Sequence, residues 1–157
     1  LAFNDLVTVE KGMRAETDKQ TALSTLYRKK AMLTGLLGGR CHPCGTVQFP
    51  KTNICVNPNC NAMHSQEDHA FADMPGKINS YTADQLTFSP DPPAHYGMVQ
   101  FEEGGRMMAD FTDVDVGGVE VGMPMRMVFR IKEYDPQRGF TKYFWKAAPA
   151  AAAVKES

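Results

Sequence analysis

The sequence predicts a mainly β protein: an N-terminal helix, a rubredoxin-like zinc ribbon, and then a small β-barrel or sandwich. Three observations carry this. Four cysteines stand in two tight pairs, Cys41/Cys44 and Cys55/Cys60. A helical apolar period precedes them. After residue 71 the chain breaks into short alternating segments separated by turn residues. With 157 residues there is room for one ordinary domain, or a small domain plus a metal-stapled module. Hydrophobic residues at 43% and charged residues at 22% place the chain with globular proteins, not disordered ones.

The helix comes first. Thr17 and Asp18 are able to cap it. Ala22, Leu23, Leu26, Tyr27, Lys30 and Leu33 then fall near one face, and Gly35 with Gly38-Gly39 ends it. Arg28-Lys29-Lys30 makes the other side basic. Packing on the body of its own domain and docking to a partner are both open for such a helix.

The cysteine module follows. Cys41-His42-Pro43-Cys44-Gly45 is a tight knuckle, and ten residues separate Cys44 from Cys55. Zn²⁺ takes four ligands at tetrahedral corners, and two cysteines three apart on one turn both reach one ion. Gly45 lets backbone amides turn toward sulfur. The second pair, Cys55-Val56-Asn57-Pro58-Asn59-Cys60, is wider than the common two-residue knuckle. His42 and His64 therefore stand as substitute ligands. Iron is the second metal choice and a disulfide the third, since paired cysteines without a secretion signal favour metal in a reducing compartment. With four protein ligands the ion has no open position, so its role is structural.

The second half reads as strands. Lys77-Ile78-Asn79-Ser80-Tyr81-Thr82 alternates weakly. Tyr96-Gly97-Met98-Val99-Gln100-Phe101 turns at Glu102-Glu103-Gly104-Gly105 and returns through residues 106–111. Met125-Arg126-Met127-Val128-Phe129-Arg130-Ile131-Lys132 alternates cleanly. Asp135-Pro136-Gln137-Arg138-Gly139 is a turn into a last strand over residues 140–145. Ser89-Pro90-Asp91-Pro92-Pro93 is a stiff surface loop, a plain connector or the mouth of a site. The Ala-rich end, residues 147–157, reads as loose or as an extended arm.

Other chemistry is sparse. His95 and Tyr96 are a candidate acid–base pair, weighed against a half-exposed loop histidine beside a packed tyrosine. His64 and His69 read as polar surface. Asp110, Asp113 and Asp115 match a calcium loop poorly and read as a solvated strand edge and turn. No glycine-rich phosphate loop precedes a helix. The formal net charge of −1 lacks the cationic excess that phosphate binding needs. No stretch is apolar enough to span a bilayer, and no signal peptide stands at the start, so we expect a cytoplasmic protein.

The order of parts resembles the zinc-ribbon plus OB-fold accessory proteins that accompany thiolase-superfamily enzymes, a family long labelled a domain of unknown function. The residues that carry it are Gly39-Arg40-Cys41-His42-Pro43-Cys44-Gly45, Phe49-Pro50, the second cysteine pair, and Gly76-Lys77-Ile78-Asn79-Ser80-Tyr81-Thr82. They continue with Tyr96-Gly97-Met98-Val99-Gln100-Phe101, Gly105-Arg106, Val121-Gly122-Met123-Pro124-Met125, Phe129-Arg130 and Tyr143-Phe144-Trp145. The resemblance implies an OB-fold barrel. It also implies a non-catalytic subunit or domain that docks to a thiolase, aldolase, acyltransferase or hydroxymethylglutaryl-CoA synthase-like partner and helps form its acyl-CoA site. A CoA thioester at that interface needs cations. Lys77, Arg106, Arg126, Arg130 and Lys132 on the barrel and Arg28 and Lys29 on the helix are available, and the sequence does not choose among them.

The resulting boundaries are a linker-like segment at 1–15, the helix at 16–38, the zinc ribbon at 39–70, the barrel at 71–147 and a flexible tail at 148–157. Residues 1–16 look similar to the linker found where such a domain follows a synthase-like domain, and the start at Leu1 suits a piece of a longer polypeptide. The metal ligands are expected to be Cys41, Cys44, Cys55 and Cys60, with no catalytic residue. The alternative class is a zinc-ribbon/OB-fold protein that binds single-stranded nucleic acid. Tyr81, Phe88, Tyr96, Phe101, Phe111, Phe129 and Phe140 would serve as its platforms, and the charge balance argues against it.

Overall fold

The structure, a computed structural model, describes residues 23–87, 92–136 and 139–150. The linker-like segment 1–15, the helix start at Thr17 and Asp18, residues 88–91 of the proline loop and the end beyond residue 150 lie outside them. The chain divides into two compact units, residues 1–30 and 31–157.

In the first unit, α1 (Leu23–Arg28) is short. Its Tyr27 is 84% exposed and Leu26 is half-buried. A second short helix, α2 (Lys30–Gly35), belongs to the second unit from Ala31 onward and buries none of its residues. It stops at Leu36, which adopts a left-handed φ of 47°. A leucine there is held because its side chain is 1% exposed and its carbonyl accepts the Phe71 amide at 3.1 Å.

The helical region therefore ends at Gly35, short of residue 38. Gly38 and Gly39 stand inside strand β1 (Leu37–Cys41). The reason is crowding, not helix termination. A Cβ at Gly38 would lie 2.3 Å from the Phe71 ring and 2.5 Å from the Gln48 carbonyl oxygen. Strand β1 is the centre of a three-stranded sheet, between β2 (Val47–Gln48) and β3 (Gln66–Ala70). Its register with β3 runs from Leu37↔Ala70 to Cys41↔Gln66.

The rest is a closed five-stranded barrel in the order β4-β5-β6-β8-β7. Its strands are β4 (Gly76–Asp84), β5 (Ala94–Phe101), β6 (Arg106–Phe111), β7 (Pro124–Asp135) and β8 (Phe140–Pro149). Strands β6 and β8 run parallel through Asp110↔Lys146 and Phe111↔Ala147. Pairing of Gly76 with Met125 and of Lys77 with Pro124 closes the circle. Burial alternates along β5, with His95, Gly97, Val99 and Phe101 inward, as a strand with one core face requires. Gly97 has no room for a side chain: a Cβ would lie 2.1 Å from the Ser80 carbonyl, beside the β4 bulge.

Two expectations change. Strand β8 continues to Pro149, and Ala147 and Ala148 are 0% and 1% exposed. The alanine run is small because it is packed, so residues 147–149 belong to the barrel and not to a tail. His95 is a buried strand residue, not a loop residue.

One core spans both sheets. Ile78, Val99, Phe101, Phe111, Met125 and Met127 of the barrel join Leu36, Val47, Phe71 and Met74. Phe71, fully buried, meets Phe49 at 5.5 Å and Phe101 at 4.9 Å, both edge-on. Such pairs add to burial by roughly 0.5–1.5 kcal/mol.

Replacing Phe71 by Ala should cost about 3–5 kcal/mol of unfolding free energy. The same measurement on Leu86→Ala, at a side chain 96% exposed, should move by less than about 0.5 kcal/mol. Denaturant unfolding of the metal-loaded protein tests this, and equal losses in the two variants would refute the pivotal place of Phe71.

Candidate metal centre

The first knuckle hangs from the end of β1. The Cys41 amide donates to the Thr46 carbonyl at 2.9 Å, and the Gly45 amide to the Cys41 carbonyl at 2.7 Å. Gly45 has a φ of 71°, a conformation glycine adopts without steric cost. The turn thus aims Cys41 and Cys44 the same way.

The wide second knuckle is also ordered. The Cys60 and Asn61 amides both donate to the Asn57 carbonyl, at 3.0 and 3.2 Å. The Asn59 amide donates to Asn57 Oδ1 at 3.0 Å. Asn61 Nδ2 donates to the Pro58 carbonyl at 2.9 Å. The Asn57 side chain closes the turn from within, so four intervening residues still deliver Cys60. The segment is fastened below by one bridge, Ile54↔Met63, and by the Cys55 amide on the Ala62 carbonyl at 3.0 Å.

Gln48 ties the two knuckles together. It is 3% exposed. Its Oε1 accepts the Val56 amide at 2.9 Å, and its Nε2 donates to Thr52 Oγ1 at 2.7 Å. Sequence reasoning does not find it, because a lone Gln in a two-residue strand carries no pattern.

The four thiol sulfurs all lie within 4.8 Å of one another. Cys41 and Cys60 are 3.8 Å apart, and Cys44 and Cys55 are 3.6 Å apart. A tetrahedral ion with bonds near 2.3 Å would set its sulfurs about 3.8 Å apart. A disulfide would need about 2.05 Å, and all four cysteines are free. The set therefore fits a four-thiolate metal ion. His42 and His64 are both exposed and stand outside the cluster.

The thiols are not equivalent. The Thr46 side chain, 3.2 Å from Cys44 Sγ, and the Thr46 backbone bring Cys44 down to about 6. At Cys55 the Asn57 amide pulls down hardest. Desolvation and the neighbouring thiols together outweigh it and push Cys55 up to about 12. Cys60 is also raised: the Ala62 backbone favours its thiolate, but the Cys44 thiol and desolvation prevail. Close-packed sulfurs resist sharing negative charge, and a cation among them removes that conflict.

The remaining candidates separate. His69 is not polar surface: its Nε2 is buried, 3.5 Å from the Glu103 carboxylate, and its ring meets Phe71 edge-on. His95 is buried and Tyr96 half-buried on alternate positions of β5. Both line a cavity of about 580 Å³ with Pro92, Pro93, Asp110 and Lys146. Asp113 and Asp115 are exposed, and Asp113 accepts Arg130 at 3.0 Å. No helix among the described residues is long and apolar enough to cross a membrane.

The chain was then compared with known proteins. A DUF35 domain-containing scaffold protein of Methanothermobacter thermautotrophicus is 32% identical over 117 residues, which cover 73% of this chain and 86% of that protein. The chain belongs to the DUF35 family. A scaffold protein of the same description from Methanocaldococcus jannaschii is 31% identical over 117 residues, 73% of this DUF35 chain and 81% of the relative. The family model for the C-terminal OB-fold domain of ChsH2 matches residues 70–130, so the five-stranded barrel is an OB-fold. The solved structure of an Ltp2-ChsH2(DUF35) aldolase superposes with a TM-score of 0.60 at 22% identity, covering 82% of this chain and 94% of that one. That likeness supports the fold.

Each purified DUF35 chain should carry one thiolate-bound divalent metal ion. Cys41→Ser and Cys55→Ser should each lose it, and chelation should lower the thermal midpoint of the wild type. Elemental analysis with thermal unfolding decides, and full metal retention in both variants would refute the site.

Proposed function

We propose that this DUF35 chain is a non-catalytic scaffold subunit or domain. It docks to a thiolase-superfamily, aldolase or hydroxymethylglutaryl-CoA synthase-like enzyme and contributes to the acyl-CoA site of the complex. The observation that carries this is the match to scaffold proteins at 31–32% identity across more than four-fifths of their length. The Ltp2-ChsH2(DUF35) aldolase, in which a DUF35 protein accompanies Ltp2, supports an enzyme partner of this kind.

The four cysteine thiols lie together in one cluster. In this reading Cys41, Cys44, Cys55 and Cys60 bind Zn²⁺. With all four positions filled by thiolate, the ion supplies cross-linking and no open coordination site for a reaction. Binding of a structural zinc contributes on the order of 10–16 kcal/mol in small modules, which suits a segment fastened by a single bridge. The proposed setting is cytoplasmic, where such thiols stay reduced.

Co-expression of the full chain with the thiolase-superfamily enzyme from the same source should yield one complex in size-exclusion chromatography. Carbon–carbon bond turnover on acyl-CoA should require the enzyme and be absent from the DUF35 chain alone. Turnover by the pure chain, or failure of the two to associate, would overturn the proposal.

A further inference from the structure

Strands β7 and β8 outrun the barrel. Strand β8 meets β6 only at Lys146 and Ala147, and β7 meets β4 only at Pro124 and Met125. From Phe129↔Trp145 to Asp135↔Phe140 the two strands pair with each other and with no other described strand. Seven residues of β7 at about 3.3 Å per step make a free arm roughly 20 Å long.

The arm has two unlike faces. Residues opposite each other in an antiparallel ladder share a face. Phe129 and Trp145, then Ile131 and Tyr143, continue the face that Met125, Met127 and Ala147 bury in the barrel. That face leaves the core but stays apolar: Ile131 is 62% exposed, Tyr143 48% and Phe129 38%. Phe129 lies stacked on Tyr143 at 5.2 Å and tilted against Trp145 at 4.9 Å. On the other face Lys132 and Lys146 sit over the Phe144 ring at 5.6 and 5.2 Å. Arg130, which pairs with Phe144 across the ladder, reaches Asp113.

The whole β7–β8 hairpin differs in charge from the rest of the chain. Residues 124–149, the arm together with its barrel root, hold Arg126, Arg130, Lys132, Arg138, Lys142 and Lys146 against Glu133 and Asp135, a surplus of four positive charges. The chain as a whole carries −1, so the remainder carries −5.

We infer that this arm is the docking element for the partner enzyme, with its aromatic face seated in an apolar groove of that enzyme whose rim is acidic. The inference rests on the scaffold reading above and names its surface. Exposed apolar side chains such as these gain roughly 25 cal/mol per Å² when covered. A basic hairpin selects an acidic acceptor and disfavours a second copy of itself. A single strand of nucleic acid fits less well. Bases stack best where cations flank the same platform, whereas here the rings pack on one another and the cations occupy the opposite face.

The test measures the dissociation constant between the full chain, metal-loaded, and the co-expressed thiolase-superfamily enzyme. Ile131→Asp combined with Tyr143→Asp should weaken binding roughly a hundredfold. Arg126→Glu at the barrel root of the hairpin combined with Lys132→Glu on the arm should weaken it roughly tenfold and flatten its salt dependence. Leu86→Asp, exposed and off the arm, should change neither. Metal content and thermal midpoint should stay at wild-type values in all three. Wild type and arm variants binding the enzyme equally would overturn the arm and leave the scaffold proposal standing. No binding by the wild type would overturn both. Arm variants that lose only a self-association, or only binding to an oligothymidine probe, would also overturn the inference.

Discussion

The architecture depends on one ring. Phe71 leaves the ribbon sheet just after β3 and enters the space between Gly38 and Gly105, where a Cβ would come within 2.3 and 2.8 Å of it. Its edges meet Phe49 on the ribbon side and Phe101 on the barrel side. The two glycines are thus the counterpart of a single aromatic side chain. They let a strand and a hairpin turn approach a ring closely enough to exclude water. The Arg40–Glu103 ion pair spans the same joint, but both side chains are substantially exposed, so its contribution is small beside the burial. A ribbon without a core of its own gains one by lending Leu36, Val47 and Phe71 to the barrel.

The metal cluster solves a different problem at the far end of the same sheet. No core reaches residues 51–64, which are mostly exposed and carry a single bridge. What orders them is short-range bonding by Asn57, Asn61 and Gln48 together with four converging thiols. The thiols alone oppose this order. Cys44 is drawn toward the thiolate at about 6 while Cys55 is held protonated up to about 12. An ion that accepted all four sulfurs would turn a repulsive cluster into the bond that closes the ribbon. Its binding would displace protons, so affinity would fall as pH falls.

The ribbon is legible in the sequence because cysteine spacing is a geometric statement: two residues three apart on a glycine-ended turn have few ways to face. The wide pair is less legible. Nothing in Asn57-Pro58-Asn59 read alone says that the first asparagine accepts both the Asn59 amide and the amides at the end of the turn. The glycines mislead for a related reason. Gly38-Gly39 after an apolar period has the composition of a helix stop, and only the partner ring at Phe71, more than thirty residues later, shows that the pair is a strand made narrow. His95 is hidden by its neighbours, since a proline loop before it suggests exposure while the alternation that buries it begins with Ala94.

The β7 pattern shows the limit of period-2 reasoning most clearly. Met125, Met127, Phe129 and Ile131 fall on one face by the same alternation, and nothing in their order distinguishes them. In the barrel the first two are 1% and 7% exposed, while the last two are 38% and 62% exposed. Alternation records that a face is to be covered and is silent on what covers it. Where strands β4 and β6 diverge from β7 and β8, no other described strand lies beside them. The residues stay apolar and aromatic there, and the cations gather behind them. A solvent-facing ribbon would be expected to use polar residues on both faces, and the retained apolar face is the feature on which the docking proposal rests.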